Sequence, residues 1–175
     1  MGGQTGNRTA EEFAQQLQQG GFGDLPLLQA GGVGDAQGLR AALDLGYAGC
    51  QLGTRFLATH EANVTESYKR AIVNANPEDI VWTNKIAGTN SSVIRTPQVE
   101  AGGLRVNSFV GWLLRNRYTK LLTRTLMLTR AMESYKKAAF EEDYEVWQAG
   151  TGVGDIHSVA SCAEVLASFG EVARR

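Results

Sequence analysis

The chain has 175 residues, enough for one ordinary domain with its own core and too few for two generous ones. Its 17 Lys and Arg against 18 Asp and Glu leave a formal charge of -1, which excludes a chain-wide basic field and any nucleic-acid partner argued from net charge. At 43% hydrophobic and 20% charged the composition is that of a globular protein, and no apolar run approaches the ~18 residues of a membrane span.

Thr9 and Glu12 have capping-box spacing, and Phe13 with Leu17 gives an apolar i,i+4 stripe, so about residues 10–19 are predicted helical, ended by Gly20-Gly21. Pro26 to Ala30 is a short, mostly apolar run that stops at Gly31, the pattern of a buried strand. Asp35 can cap a helix carrying Leu39, Ala42 and Leu43, closed by Gly46, and Ala48 to Leu52 reads as a second strand ending in Gly53-Thr54. Strand, short helix and strand in this space make a right-handed βαβ unit with parallel strands. A helix follows from about Asn63 to Ala75, with Val64, Tyr68, Ile72 and Ala75 on one side and a favourable Glu66–Arg70 pair; Pro77 stops it.

From Asp79 the pattern changes. Residues 80–95 alternate weakly and are rich in Thr, Asn and Ser, predicting irregular backbone with a short strand at most. Residues 104–140 are helical by pattern, with Trp112, Leu113, Leu121, Leu122, Leu126 and Met132 among the apolar positions. Between Leu104 and Met132 lie Arg105, Arg115, Arg117, Lys120, Arg124 and Arg130, and no Asp or Glu. An anionic membrane surface or a nucleic acid could read that charge. An amphipathic insertion packed on the rest of the fold, its basic side solvated and offset by the acids from Glu133 to Glu145, accounts for it without either partner. Val159 to Val172 is the predicted closing helix, with Cys162, Leu166, Phe169 and Val172 at core spacing.

The 21 glycines are clustered: Gly2-Gly3-Gln4-Thr5-Gly6, then Gly31-Gly32-Val33-Gly34, then Gly150-Thr151-Gly152-Val153-Gly154. Glycine just after a strand lets the backbone approach a ligand. Two successive strands that each end in glycine before a helix offer unpaired N–H groups suited to a phosphate. The dinucleotide fingerprint needs G-x-G-x-x-G and an acid closing the next strand. Here the spacing is Gly32-x-Gly34-x-x-x-Gly38, and the next strand ends in Gln51-Leu52-Gly53-Thr54 without a carboxylate. The loops after strands 7 and 8 of a (β/α)8 barrel fit instead, because both open on one face. Glycines serving only as turns are the plain alternative; matching loops in two successive βα units favour a phosphate.

Gln29-Ala30-Gly31-Gly32-Val33-Gly34-Asp35, followed by Gln51-Leu52-Gly53-Thr54-Arg55-Phe56, resembles the end of the flavin-dependent nitronate monooxygenases, once called 2-nitropropane dioxygenases. Gly2-Gly3-Gln4-Thr5-Gly6 resembles that family's Gly-Gly-His-x-Gly loop. Tyr68-Lys69 is similar to a pair the family often has, and Trp147-Gln148-Ala149-Gly150 with the final helix resembles its C-terminal segment. The two strand-end loops are shared with related flavin enzymes, the quinone reductases and the flavin-type enoyl reductases.

The resemblance implies an α/β fold, the C-terminal portion of a TIM (β/α)8 barrel of about two strands with a mainly helical insertion. Residues 1–78 would be C-terminal βα units, 79–145 the insertion, and 146–175 the closing loop and helix. It implies FMN, with its phosphate on Gly31, Gly32, Gln51, Leu52, Gly53 and Thr54 and with Gly2 beside the flavin, and no metal. The implied activity is oxidation of a small alkyl nitronate by O2. Gln4 stands where the family's usual His takes a proton from the carbon beside the nitro group; glutamine can donate a hydrogen bond there but cannot act as a base near neutrality. His60, placed at the start of a helix, and His157, before the last one, read as surface or capping residues. The alternatives are an NAD(P)H-dependent quinone or enoyl reductase on the same scaffold, and a non-catalytic phosphate-binding remnant.

A full barrel takes ~250 residues and eight strands. The first six strands are therefore expected outside this chain, with a partner chain a possible source of them, and neither nucleic acid nor membrane as a partner. Met1 to Gly6 has neither region of a signal peptide, and Cys50 and Cys162 lie among apolar neighbours, which suits reduced thiols in a cytoplasmic chain.

Overall fold

A computed structural model of the chain describes residues 9–22 and 24–173. Gly2 and Gln4 lie outside the described residues. Helix α1 (Ala10–Leu17) starts on a capping box: Glu12 accepts the Thr9 N–H at 3.0 Å and the Thr9 hydroxyl accepts the Glu12 N–H at 3.2 Å. It runs into a wider π-type turn, Gln18–Phe22. Strand β1 (Leu28–Ala30), helix α2 (Ala36–Asp44) and strand β2 (Gly49–Gln51) form the expected βαβ unit, with Leu28 opposite Gly49 and Ala30 opposite Gln51 in parallel. The strands are shorter than predicted, three residues each.

After β2 come a single helical turn, α3 (Thr54–Leu57), and helix α4 (Glu66–Asn74). Helix α4 begins three residues later than its pattern suggests, because the Thr65 hydroxyl caps it by accepting the Tyr68 N–H. His60 consequently sits exposed in the turn after α3, not at a helix start. Glu66 pairs with Lys69 at 3.1 Å, not with Arg70: the Lys69 side chain is 5% exposed, and a buried ammonium needs the counter-charge.

Residues 80–95 are more regular than expected. Strands β3 (Ile80–Thr83) and β4 (Ser91–Ile94) form an antiparallel ladder with Val81 opposite Val93 and Trp82 opposite Ser92. Val81 and Val93 pack on Val99 and Val146, whereas Ile80 and Ile94 face the cluster around Tyr68, Ile72 and Trp147. Both faces of the ladder are therefore covered over part of its length, which removes the polar–apolar alternation that announces a strand.

The stretch read as helical over 104–140 is two helices, α6 (Ser108–Arg115) and α7 (Lys120–Phe140), preceded by α5 (Pro97–Gly102). Asn107 caps α6 through the Val110 N–H. Asn116 ends it, with extended backbone and a side chain that accepts the Tyr118 N–H. Helix α7 buries Ala131 and Ala138, but Trp112, Leu121, Leu122 and Leu126 of the pair are more than half exposed. The basic side is solvated as expected, whereas these apolar positions do not pack on the rest of the described fold. Helix α8 (Cys162–Ala173) closes the chain, placing Val165 and Phe169 against Val33 and Leu39 of the βαβ unit.

Three surface carboxylates fasten the loops. The Cys162 N–H donates to both carboxylate oxygens of Glu61 at 2.9 Å, Glu164 accepts the N–H and hydroxyl of Ser161 at 2.8 and 2.7 Å, and Glu142 accepts the Ser67 N–H at 3.3 Å. The amides of Cys162 and Ser161, and the hydroxyl and amide of Ser67, hold the three carboxyls below the usual glutamate range. A depressed folded-state pKa gives stability that is present above the unfolded value of ~4.3 and lost as pH falls through the folded one. The melting temperature should therefore drop progressively below ~pH 5. In circular-dichroism melts, Glu61→Gln should show a shallower drop than the parent; equal slopes would remove Glu61 from the account.

Candidate functional site

The ends of β1 and β2 open on a cleft of about 280 Å³. Gly31, Gly32, Gln51, Gly53 and Thr54 line one side. Gly150 and Gly152, from the loop before α8, join them, and Trp82, Ser91 and Ser92 of the β3–β4 hairpin form the opposite wall.

Gly31 and Gly32 sit at φ +85° and +77°, a left-handed backbone that side chains rarely adopt. With no Cβ in the way, the chain turns tightly and leaves its backbone bare toward the cleft. A side chain at Gly32 would come within 3.7 Å of the Thr151 hydroxyl, and one at Gly53 would meet no atom within 4 Å. Among the described residues, the N–H groups of Gly32, Gly53 and Thr54 have no acceptor. The first turn of α2 is not open in this way: Asp35 caps it, accepting the Gly38 N–H at 2.8 Å. The donors facing the cleft are thus individual loop amides.

The third glycine cluster is bonded to both strand-end loops. The Thr54 hydroxyl accepts the Gly150 N–H at 3.0 Å, and Asp155 accepts the Gly34 N–H at 3.2 Å. Gly34 and Gly152 meet backbone to backbone; a Cβ on Gly152 would lie 3.0 Å from the Val33 carbonyl oxygen. Arg55 is buried and donates to the Ser158 carbonyl at 3.0 Å, with its pKa drawn down by desolvation. The Tyr68 hydroxyl donates to the Gln148 carbonyl at 2.6 Å and its ring stacks on Trp147, which fixes the strip carrying Gln148 and Ala149 along the cleft. Burial pushes the Tyr68 hydroxyl pKa up, so it stays a neutral donor.

Among the described residues, no ionisable side chain lines this cleft. An anion would be held by amide dipoles and by the hydroxyls of Thr54, Ser91 and Ser92, which suits a phosphate approached by backbone. The volume lies at the low end for ligand clefts, enough for a phosphate and a short polar chain rather than for a whole cofactor.

Five of the residues expected at a phosphate, Gly31, Gly32, Gln51, Gly53 and Thr54, meet in this cleft. The Leu52 side chain does not line it; it packs with Val33, Leu39 and Phe169 between α2 and α8. His60 and His157 are exposed and lie outside the lining. Sequence reasoning gave no site role to Gly150, Gly152 or Asp155, although their glycine cluster was visible. Trp82, Ser91 and Ser92 carried no signal, because their segment read as irregular.

The sequence model of the family described as "Nitronate monooxygenase" matches residues 1–171. A "Probable nitronate monooxygenase" of Bacillus subtilis is 32% identical over 151 residues, covering 81% of this chain and 38% of that protein. A "(3aS,4S,5R,7aS)-5-hydroxy-7a-methyl-1-oxo-octahydro-1H-indene-4-carboxyl-CoA dehydrogenase" of Mycobacterium tuberculosis is 39% identical over 94 residues, 53% of this chain and 26% of that one. Among solved structures, FabK from Thermotoga maritima superposes with a TM-score of 0.70 at 24% identity, over 97% of this chain and 50% of that one. Nitroalkane oxidase from Streptomyces ansochromogenes gives 0.59 at 23% identity, over 93% of this chain and 44% of that one. The chain spans half or less of each of these proteins. Its α/β fold is of the TIM-barrel type.

Proposed function

This chain belongs to the nitronate monooxygenase family of oxidoreductases, and we propose that it forms the flavin-phosphate portion of an FMN-dependent enzyme oxidising small alkyl nitronates with O2. The observation that carries the reading is the cleft at the ends of β1 and β2, where, among the described residues, loop amides have no partners and no carboxylate lines the space. The bare backbone at Gly32 and Gly53 fits FMN there: both glycines line the cleft, and an added Cβ at Gly53 would meet no atom within 4 Å, so the space beside it is open to a ligand. Gly31, Gly32, Gly53 and Thr54 would hold the phosphate, and Ser91, Ser92 and Trp82 across the cleft would border the rest of the cofactor. FMN, when bound, takes electrons from the substrate and passes them to O2.

At Gln4 the chain offers a hydrogen-bond donor where the family usually has an imidazole base, and neither His60 nor His157 lines the cleft. The substrate that suits such a site is the preformed nitronate anion, from which no proton need be removed. The remaining walls of the flavin pocket belong, in this reading, to βα units not contained in this chain. Two observations support that: β1 pairs only with β2 among the described residues, and its own Leu28 and the nearby Leu25 are more than half exposed.

A second reading, reduction of an enoyl thioester or quinone by a nicotinamide, is favoured by the CoA-ester dehydrogenase relative and by the fold shared with the enoyl reductase domain of MlnA. An oxygen electrode separates the two. The FMN-loaded protein should take up O2 when an alkyl nitronate is added without nicotinamide. Oxidation of NADH or NADPH without nitronate, and no uptake with it, would select the reductase.

A further inference from the structure

A second cleft, of about 380 Å³, lies across the β3–β4 hairpin from the first. Trp82 lines one and Thr83 the other, as neighbours on a strand face opposite ways. Its floor is apolar, made by Ile86, Val99, Val146 and the Tyr144 ring, and it also carries Lys85 and Arg130, with no carboxylate in the lining among the described residues.

The polar groups around it have donor capacity to spare. The Lys85 ammonium donates to the Gly102 carbonyl and keeps two further protons. Arg130 is exposed, and among the described residues it makes neither an ion pair nor a hydrogen bond. The hydroxyls of Ser134 and Tyr144 lie 2.6 Å apart, so one proton joins them and the other is free for a third oxygen. The Gln98 amide oxygen accepts the Glu145 N–H at 2.6 Å, which leaves its NH2 group as a donor. Unused donors thus lie around an apolar floor.

We infer that this cleft binds a small organic carboxylate with an apolar body. The guanidinium of Arg130 takes the carboxylate as a planar fork, Lys85 adds the second cation, and a branched or aromatic body covers Ile86, Val99 and Val146. The cleft is formed wholly by residues 83–146 and does not depend on the flavin reading.

Benzoate is the probe, titrated calorimetrically into the purified chain at low salt. Saturable binding in the millimolar range or tighter is expected, at least about tenfold tighter than inorganic phosphate. Arg130→Gln should weaken it about tenfold or more without shifting the melting temperature, since the exposed guanidinium supports nothing in the fold. Saturating FMN should not displace it. No saturation up to ~10 mM, unchanged affinity in Arg130→Gln, phosphate bound as well as benzoate, or displacement by FMN would each overturn the assignment.

Discussion

Gly34→Ala is expected to lower the melting temperature by about 10 °C and to weaken flavin binding with it. An alanine Cβ at this position would fall well inside van der Waals contact distance of the Gly152 carbonyl oxygen and 2.9 Å from the Asp155 Cβ. Gly34 is buried, and what it meets is backbone, so neither side can yield by a rotamer change. Overpacking of this kind costs about 1–3 kcal/mol, and separating the loops also forfeits the hydrogen bond from Gly34 to Asp155. At ~2–4 °C per kcal/mol for a chain of this size, the total gives the stated shift. Gly170→Ala is the control: it lies in α8 with no atom within 4 Å of its added methyl, and alanine is the better helix former. A Gly34→Ala melt within ~2 °C of the parent would mean that the two glycine loops are not in contact.

Gly32→Asp is expected to reduce FMN affinity on the order of 100-fold while Gly32→Asn reduces it far less. Both side chains must adopt the left-handed backbone at φ +77°, and Asn and Asp tolerate it about equally, so strain cancels between them. The difference that remains is a carboxylate set against a phosphate. At about 4 Å and an effective dielectric near 20, a like-charge pair costs up to about 4 kcal/mol, and partial screening at a half-open cleft brings that nearer 3. Riboflavin, which has no phosphate, should bind the two variants alike. Equal FMN affinity in Gly32→Asp and Gly32→Asn would place the phosphate elsewhere.

The parts of the fold legible in the sequence are those punctuated locally. Gly31, Asp35, Gly46 and Gly53 bracket β1, α2 and β2, and the structure follows those marks to within a residue or two. The hairpin was not legible, because Ile94 and Val93 are buried on opposite faces while Ser91, Ser92 and Trp82 face a polar cleft. No strict period of two survives that arrangement. The break between α6 and α7 rests on one Asx turn at Asn116, too small a signal to interrupt a long helical pattern.

For the cleft, the two strand-end loops announced themselves because glycine follows the strand in each of two successive βα units. Their third wall did not. Asp155 reaches Gly34, and Gly150 reaches Thr54, across about a hundred residues of chain, and such contacts leave no spacing to read. Leu52 illustrates the converse: it lies between two cleft residues in sequence, yet alternation along the strand end turns its side chain into the α2–α8 core.

The flavin reading requires the cleft of Gly31, Gly32, Gly53 and Thr54 to hold the phosphate of FMN. Fluorescence titration of the purified chain with FMN and with riboflavin, side by side, tests that claim most directly. Saturable FMN binding at least about tenfold tighter than riboflavin is expected, with the preference lost in Gly32→Asp. Equal affinity for the two flavins, or no saturable binding of FMN, would contradict it.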